Sequence, residues 1–142
     1  MLKGISALLS PELLKILSEM GHGDEIVFAD GNFPSASLAK RLVRADGHGI
    51  PELLQAALEL LPLNRYVEYP VMLMQVVPGD PVETPVWEVY RKIVHETEGE
   101  DIKFTELERF EFYERAKKAY AVVATGERAL YGNLILSKGV IS

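Results

Sequence analysis

Apolar residues recur at two different periods along this chain, and the switches between them divide it into helices and strands. Over "SPELLKILSEMG", Leu13, Leu14, Leu17 and Met20 return at helical spacing, which places them on one core-facing side. Ser10 fits the N-cap, Pro11 the first helical position and Gly21 the stop. "GIPELLQAALELLP" repeats the plan, opened by Pro51 and closed before Pro62. "TPVWEVYRKIVHETEG" predicts a third helix, with Pro85 near its start, Gly99 at its stop and Val86, Val89 and Ile93 on one face. "RFEFYERAKKA" predicts a fourth.

The remaining apolar runs are short and uninterrupted, as buried strands are. "EIVFAD" predicts a strand from Ile26 to Ala29 with Asp30 at its carboxyl end. "PVMLMQVVPGD", "YAVVATGE" and "GNLILSKGV" predict three more, and "DIKFTELE" a fifth, from Ile102 to Thr105 at least. "GNFPSAS" carries turn residues and predicts a loop. "LAKRLVRADGHG" fits a short helical or an extended piece equally well. The last two strands follow each other closely enough for a hairpin. Helices alternating with strands predict an α/β fold, a single layered domain over residues 1–142 with helices packed on a mixed β-sheet. In such open sheets ligands bind beyond the carboxyl ends of the strands. Asp30 and the loop "TGERALYGN", residues 125–133, are therefore the first places to look for a site.

Composition narrows the chemistry. The chain has 142 residues and a net charge of −6, which argues against a nucleic-acid partner or an anionic membrane surface. It contains no cysteine, which removes thiolate catalysis and cysteine-based metal sites. No apolar run is long enough to span a bilayer, and "MLKGISALLSPELL" lacks the pattern of a signal peptide; the expected location is the cytoplasm. No dinucleotide or P-loop fingerprint, H-E-x-x-H or G-x-S-x-G occurs, so neither a cofactor nor a metal site has support.

Three histidines remain. His22 lies between Gly21 and Gly23, and imidazole gives and takes protons near neutral pH. The pattern alone is met as well by an exposed turn residue after a helix stop. His48 fits a loop or cap role before a Pro-started helix, and His95 a solvated position on a polar helix face. Asp30 fits either a ligand acceptor or a turn aspartate. Arg109 in a first helical turn opposes the helix dipole. Tyr131 and Asn133 carry groups able to bond polyol hydroxyls, and equally able to build a turn. Phe110, Phe112 and Tyr113 fit core positions.

"LLSPELLKILSEMGHGDEIVFAD", "RADG" and "RFEFYERAKKAYAVVATGERALYGNLILSKGV" together resemble the ribose pyranase / fucose mutarotase family in its fucose branch. The resemblance runs from about residue 2 to residue 140 and is densest in "MGHGDEI" and "FYERA…TGE…YGN…KGV". It implies a ribose pyranase-like fold and a cofactor-free isomerase that interconverts the α and β anomers of L-fucose. The alternatives are a pyranose–furanose exchange on D-ribose, or a non-catalytic sugar-binding protein. It also implies a homo-oligomer, ring-shaped or smaller, with sites near subunit contacts. By resemblance His22 is the acid/base residue, Asp30 and Arg109 bind substrate, and Tyr131, Gly132 and Asn133 line the site. Ribose-type relatives tend to carry histidine at the 109 position, so Arg109 points to the fucose branch. The chemistry needs a second proton relay, for which Tyr131 and Tyr120 are candidates, Tyr120 also as a substrate contact. Phe33 is a candidate apolar wall for the sugar methyl group.

Overall fold

Strand β1 (Glu25–Ala29) forms the middle of a six-stranded mixed sheet in a computed structural model that describes residues 1–142. The other strands are β2 (Leu42–Ala45), β3 (Val71–Met74), β4 (Phe104–Leu107), β5 (Ala121–Thr125) and β6 (Leu134–Ser137). Their order across the sheet is β2-β5-β1-β6-β3-β4. Parallel pairs join β2 to β5, β5 to β1 and β3 to β4, while β6 runs antiparallel to both β1 and β3. β5 and β6 therefore do not pair as a hairpin: β1 lies between them.

Five helices cover the two faces. Along β1, Ile26 and Phe28 point to one side and Val27 and Ala29 to the other, as the two-residue period of a strand requires. The first side packs under α1 (Pro11–Glu19), α3 (Ile50–Leu58) and α4 (Pro85–Glu98); the second packs under α2 (Ser35–Leu38) and α5 (Arg109–Lys118). Strands covered on both faces read as continuous apolar runs, and β3, β5 and β6 are buried throughout.

Local signals set the helix ends. Ser10 Oγ accepts the Leu13 N–H at 3.1 Å, and Pro11 opens α1. The Glu52 carboxylate takes the Gly49 N–H at 2.8 Å at the start of α3. Several details differ from the sequence expectation: α2 begins inside the expected loop "GNFPSAS", and β4 begins at Phe104 rather than Ile102. The C-cap of α1 is Met20, and the left-handed residue in the following turn is Gly23 rather than Gly21. The buried side of α4 is Trp87, Tyr90 and Val94, with Val89 exposed. Two aromatic rings fill more of the space above the sheet than the valines would, and they turn the helix to bring them inward. His95 is not solvated either: its Nε2 lies 3.1 Å from the Ile102 carbonyl and its ring meets Phe104 edge-on. No helix is long and apolar enough to cross a membrane.

Candidate active site

The parallel strands β1, β3 and β4 all end at one edge of the sheet, where antiparallel β6 begins. Asp30 follows β1 there and is buried, with 6% of its surface exposed. Because β1 and β6 run antiparallel with Phe28 opposite Leu134, Asp30 meets the residues just before β6. Its N–H donates to Asn133 Oδ1 at 2.7 Å. Its carboxylate accepts the Asn32 N–H at 3.0 Å and the Gly132 N–H at 3.3 Å. Burial pushes the Asp30 carboxyl above its ordinary value of 3.8, and these backbone donors partly oppose the shift.

Asp30 opens on a cavity of about 250 Å³ that is also bounded by Phe33, Met74, Asp80, Arg109, Tyr113, Tyr131 and Asn133. Arg109 is the first residue of α5, and the Glu108 carboxylate caps that helix by accepting the N–H groups of Phe110 and Glu111. The cap offsets the cation's unfavourable place at the positive end of the helix. Arg109 Nε donates to the Tyr113 hydroxyl at 3.1 Å. The Tyr131 hydroxyl donates to Asp80 Oδ2 at 2.7 Å and lies 3.3 Å from the Val77 N–H. The bond to Asp80 holds the Tyr131 phenol in its protonated form and raises its pKa.

The loop 125–133 is built around Glu127. Its carboxylate accepts the N–H groups of Ile50, Arg128 and Ala129, each at 3.0 Å, and its carbonyl accepts the Gly31 N–H at 2.9 Å. The two loops that carry Asp30 and Tyr131 are thus tied together.

Asp30, Arg109, Tyr131, Gly132 and Asn133 come together in one chain. His22 and Tyr120 do not join them, since both lie at the opposite end of the sheet. His22 is exposed; its Nε2 lies 3.1 Å from Asn64 Oδ1 and its ring is tilted on Tyr66 at 5.1 Å between centroids. With an amide carbonyl oxygen as partner, Nε2 acts as the donor, which leaves Nδ1 as the nitrogen able to exchange a proton. The Tyr120 N–H bonds the Glu25 carbonyl at 2.8 Å beside the start of β1, and the Arg41 guanidinium covers its ring at 3.9 Å. The intervening strand β1 separates His22 from Asp30 by about 16 Å or more. His48 closes a turn, its carbonyl accepting the Gly126 N–H at 2.9 Å.

Several cavity residues escaped the sequence reading, among them Met74, Tyr113 and Asp80. Tyr113 is half-buried and lines the cavity, whereas Phe112 fills the core and Phe110 is exposed. Asp80 follows β3 in "VVPGD", and the strand-end rule that selected Asp30 would have selected it too.

An open α/β sheet with a carboxylate, a guanidinium and hydroxyl groups around a cavity at its strand ends defines a small-molecule-binding protein. The model of the RbsD / FucU transport protein family matches residues 3–141, and the chain belongs to that family. It is 58% identical to the fucose mutarotase of Homo sapiens over 99% of this chain and 95% of that protein. It is 51% identical to an L-fucose mutarotase of Actinobacillus pleuropneumoniae over 99% of this chain and 97% of that one. Among solved structures, the fucose mutarotase of Streptococcus pneumoniae in complex with L-fucose is 53% identical and superposes with a TM-score of 0.91, over 99% of this chain and 100% of that one. RbsD of Bacillus subtilis complexed with D-ribose is 26% identical with a TM-score of 0.75, each chain covered in full.

Proposed function

We infer that this chain is an isomerase that interconverts the α and β anomers of L-fucose by opening and reclosing the pyranose ring. The observation that carries the reading is the Asp30 carboxylate, held by two backbone N–H groups on a cavity ringed by Arg109, Tyr131 and Asn133. Such a set offers fixed acceptors and donors to sugar hydroxyls, which must be matched when they leave water. The 51–58% identity to proteins named for fucose, against 26% to the ribose-bound relative, favours fucose over ribose.

A cyclic aldose is a hemiacetal. Ring opening breaks the bond from C1 to the ring oxygen: the ring oxygen gains a proton, the anomeric hydroxyl loses one, and C1 becomes a carbonyl carbon. Rotation about C1–C2 and the reverse transfers give the other anomer. His22, as the imidazolium, gives a proton to the ring oxygen on opening and takes it back on closure in this reading. The Tyr131 hydroxyl, already bonded to Asp80, is the second relay: it takes a proton from the sugar as it passes its own to the carboxylate. Asp30, Arg109 and Asn133 hold the hydroxyls, and Phe33 and Met74 face the methyl group. Because His22 and Asp30 lie at opposite ends of β1 in one chain, the complete site joins two copies in a homo-oligomer, with His22 of one subunit facing the Asp30 cavity of the next. A substrate contact from Tyr120 would likewise have to come from a neighbouring copy.

Exchange between the anomeric protons of L-fucose, followed by NMR, tests the function. Catalytic amounts of protein should accelerate exchange, and His22→Ala should lower the rate by about 10²–10⁴-fold. No acceleration by the folded wild-type protein, or full acceleration by the variant, overturns the reading. D-Ribose in a parallel sample should respond more weakly; a stronger ring-form exchange there would move the assignment to the ribose type.

A further inference from the structure

Two side chains of α4 hold the backbone of the cavity wall. Trp87 Nε1 donates to the Tyr131 carbonyl at 2.8 Å, and the Tyr90 hydroxyl donates to the Gly132 carbonyl at 2.7 Å. The two residues are three apart, so they lie on one face of the helix, and both are buried. They grip two consecutive carbonyls of the segment that carries Tyr131, Gly132 and Asn133.

The geometry of the peptide group makes this grip directional. No peptide bond in the chain is cis, and in a planar trans peptide the carbonyl and the N–H point in opposite directions. Trp87 draws the Tyr131 carbonyl toward α4, so the Gly132 N–H of the same peptide is aimed away from it. That N–H meets Asp30 Oδ2 at 3.3 Å. Tyr90 fixes the next peptide in the same manner, and that peptide leads into Asn133, whose side chain takes the Asp30 N–H at 2.7 Å. Each α4 bond thus sets one of the contacts that orient Asp30, beside the one from the Asn32 N–H.

The segment needs such support. Tyr131 has φ of 55°, the one non-glycine residue with positive φ in the chain, a conformation that a bulky side chain adopts only when its surroundings impose it. The segment is enclosed by its own loop and by α4: a Cβ on Gly132 would stand 2.9 Å from the Ala129 carbonyl oxygen of the loop and 3.3 Å from the Tyr90 hydroxyl of α4. Burial, with the carboxylates of Glu127 and Asp30 nearby, pushes the Tyr90 phenol upward, so its hydroxyl keeps its proton and remains a donor.

We propose that Trp87 and Tyr90 are positioning residues of the sugar site, which set the orientation of Asp30, Tyr131 and Asn133 by clamping the Tyr131–Gly132 backbone to helix α4. This rests on the cavity being the L-fucose site. The clamp accounts for an indole N–H and a phenol, rather than aliphatic side chains, on the core face of α4.

The test compares Tyr90→Phe, Trp87→Phe and a packing control, Val94→Ala, which removes buried volume from the same helix without touching the clamp. L-Fucose exchange is measured as kcat and KM, with the thermal midpoint and the hydrogen-exchange rate of the Gly132 amide. Tyr90→Phe and Trp87→Phe should raise KM about three- to tenfold and speed Gly132 amide exchange. Val94→Ala should lower the midpoint at least as much as Tyr90→Phe yet keep KM within about twofold. Activity that tracks the midpoint across all three variants, or a wild-type KM and Gly132 exchange rate in Tyr90→Phe, overturns the clamp. Tyr90→Phe removes one oxygen at nearly constant volume and carries the test if Trp87→Phe does not fold. If the wild-type protein itself leaves L-fucose exchange unaccelerated, the proposed function fails instead, and the Gly132 amide still decides whether α4 holds the loop.

Discussion

The backbone N–H of Asp30 donates to the side-chain oxygen of Asn133 at 2.7 Å, joining residues 103 positions apart in the sequence. Both residues are buried, so the bond cannot be replaced by water without opening the site. Asn133→Ala leaves the Asp30 N–H without its partner. The expected loss is about 1–3 kcal/mol of unfolding free energy, read from urea titration, together with a raised KM for L-fucose.

Burial raises the Asp30 carboxyl above its ordinary value of 3.8. The folded protein therefore binds this proton more tightly than the unfolded chain does. Between the two values the folded state carries more protons, so the Asp30 contribution to stability falls as pH rises through that window and is level above it. If the ionised form holds the sugar, kcat/KM should fall on the acid side with a midpoint above 3.8. Asp30→Asn should abolish that limb along with most of the activity. A profile of kcat/KM against pH for both proteins gives the answer, and an acid limb unchanged in Asp30→Asn would assign the titration to another group.

Arg109 is exposed and bonded to the Tyr113 hydroxyl at 3.1 Å. Its removal should cost the fold little and the site much. Arg109→Lys keeps the charge but loses the planar fork of donors. KM for L-fucose should rise about tenfold, with unfolding free energy within about 0.5 kcal/mol of wild type. Equal losses in both would make Arg109 structural.

A site shared between copies predicts complementation. His22→Ala and Asp30→Ala proteins are each expected to be inactive. Subunits of the two, unfolded together and reassembled at equal amounts, should recover up to about a quarter of wild-type exchange, because one in four random contacts pairs an intact His22 with an intact Asp30. No recovery from properly reassembled oligomers would place the whole reaction within one chain.

Much of the local structure was legible because its causes are local. Ser10 and Pro11 start α1 through groups within three residues of each other. The strand end at Asp30 marks the edge where the cavity forms, whereas β4 runs two residues further along the chain than the Ile102–Thr105 expected. The placement of β6 was not legible, since "GNLILSKGV" carries the same apolar signal whether it pairs with β5 or inserts beside β1. The inward side of α4 was misjudged for a related reason: spacing alone admits the Val86–Val89–Ile93 stripe, and the volume of Trp87 and Tyr90 turns the helix to another. Tyr113 was missed because it reaches the cavity from α5, whose neighbours there lie far away in sequence, whereas Asp80 carried the same strand-end signal as Asp30.

The sequence by itself determined the α/β class, the starts of the four long helices, the cores of five of the six strands and the residue types able to bind a sugar. These follow from periodicity, capping groups and side-chain chemistry, which act over a few residues. Only the tertiary structure decided that Asp30, Arg109, Tyr131 and Asn133 face one cavity while His22 and Tyr120 stand at the other end of the sheet. A strand holds its two ends apart by its length, and the pairing of β1 with β6 is set by packing between residues more than a hundred positions apart.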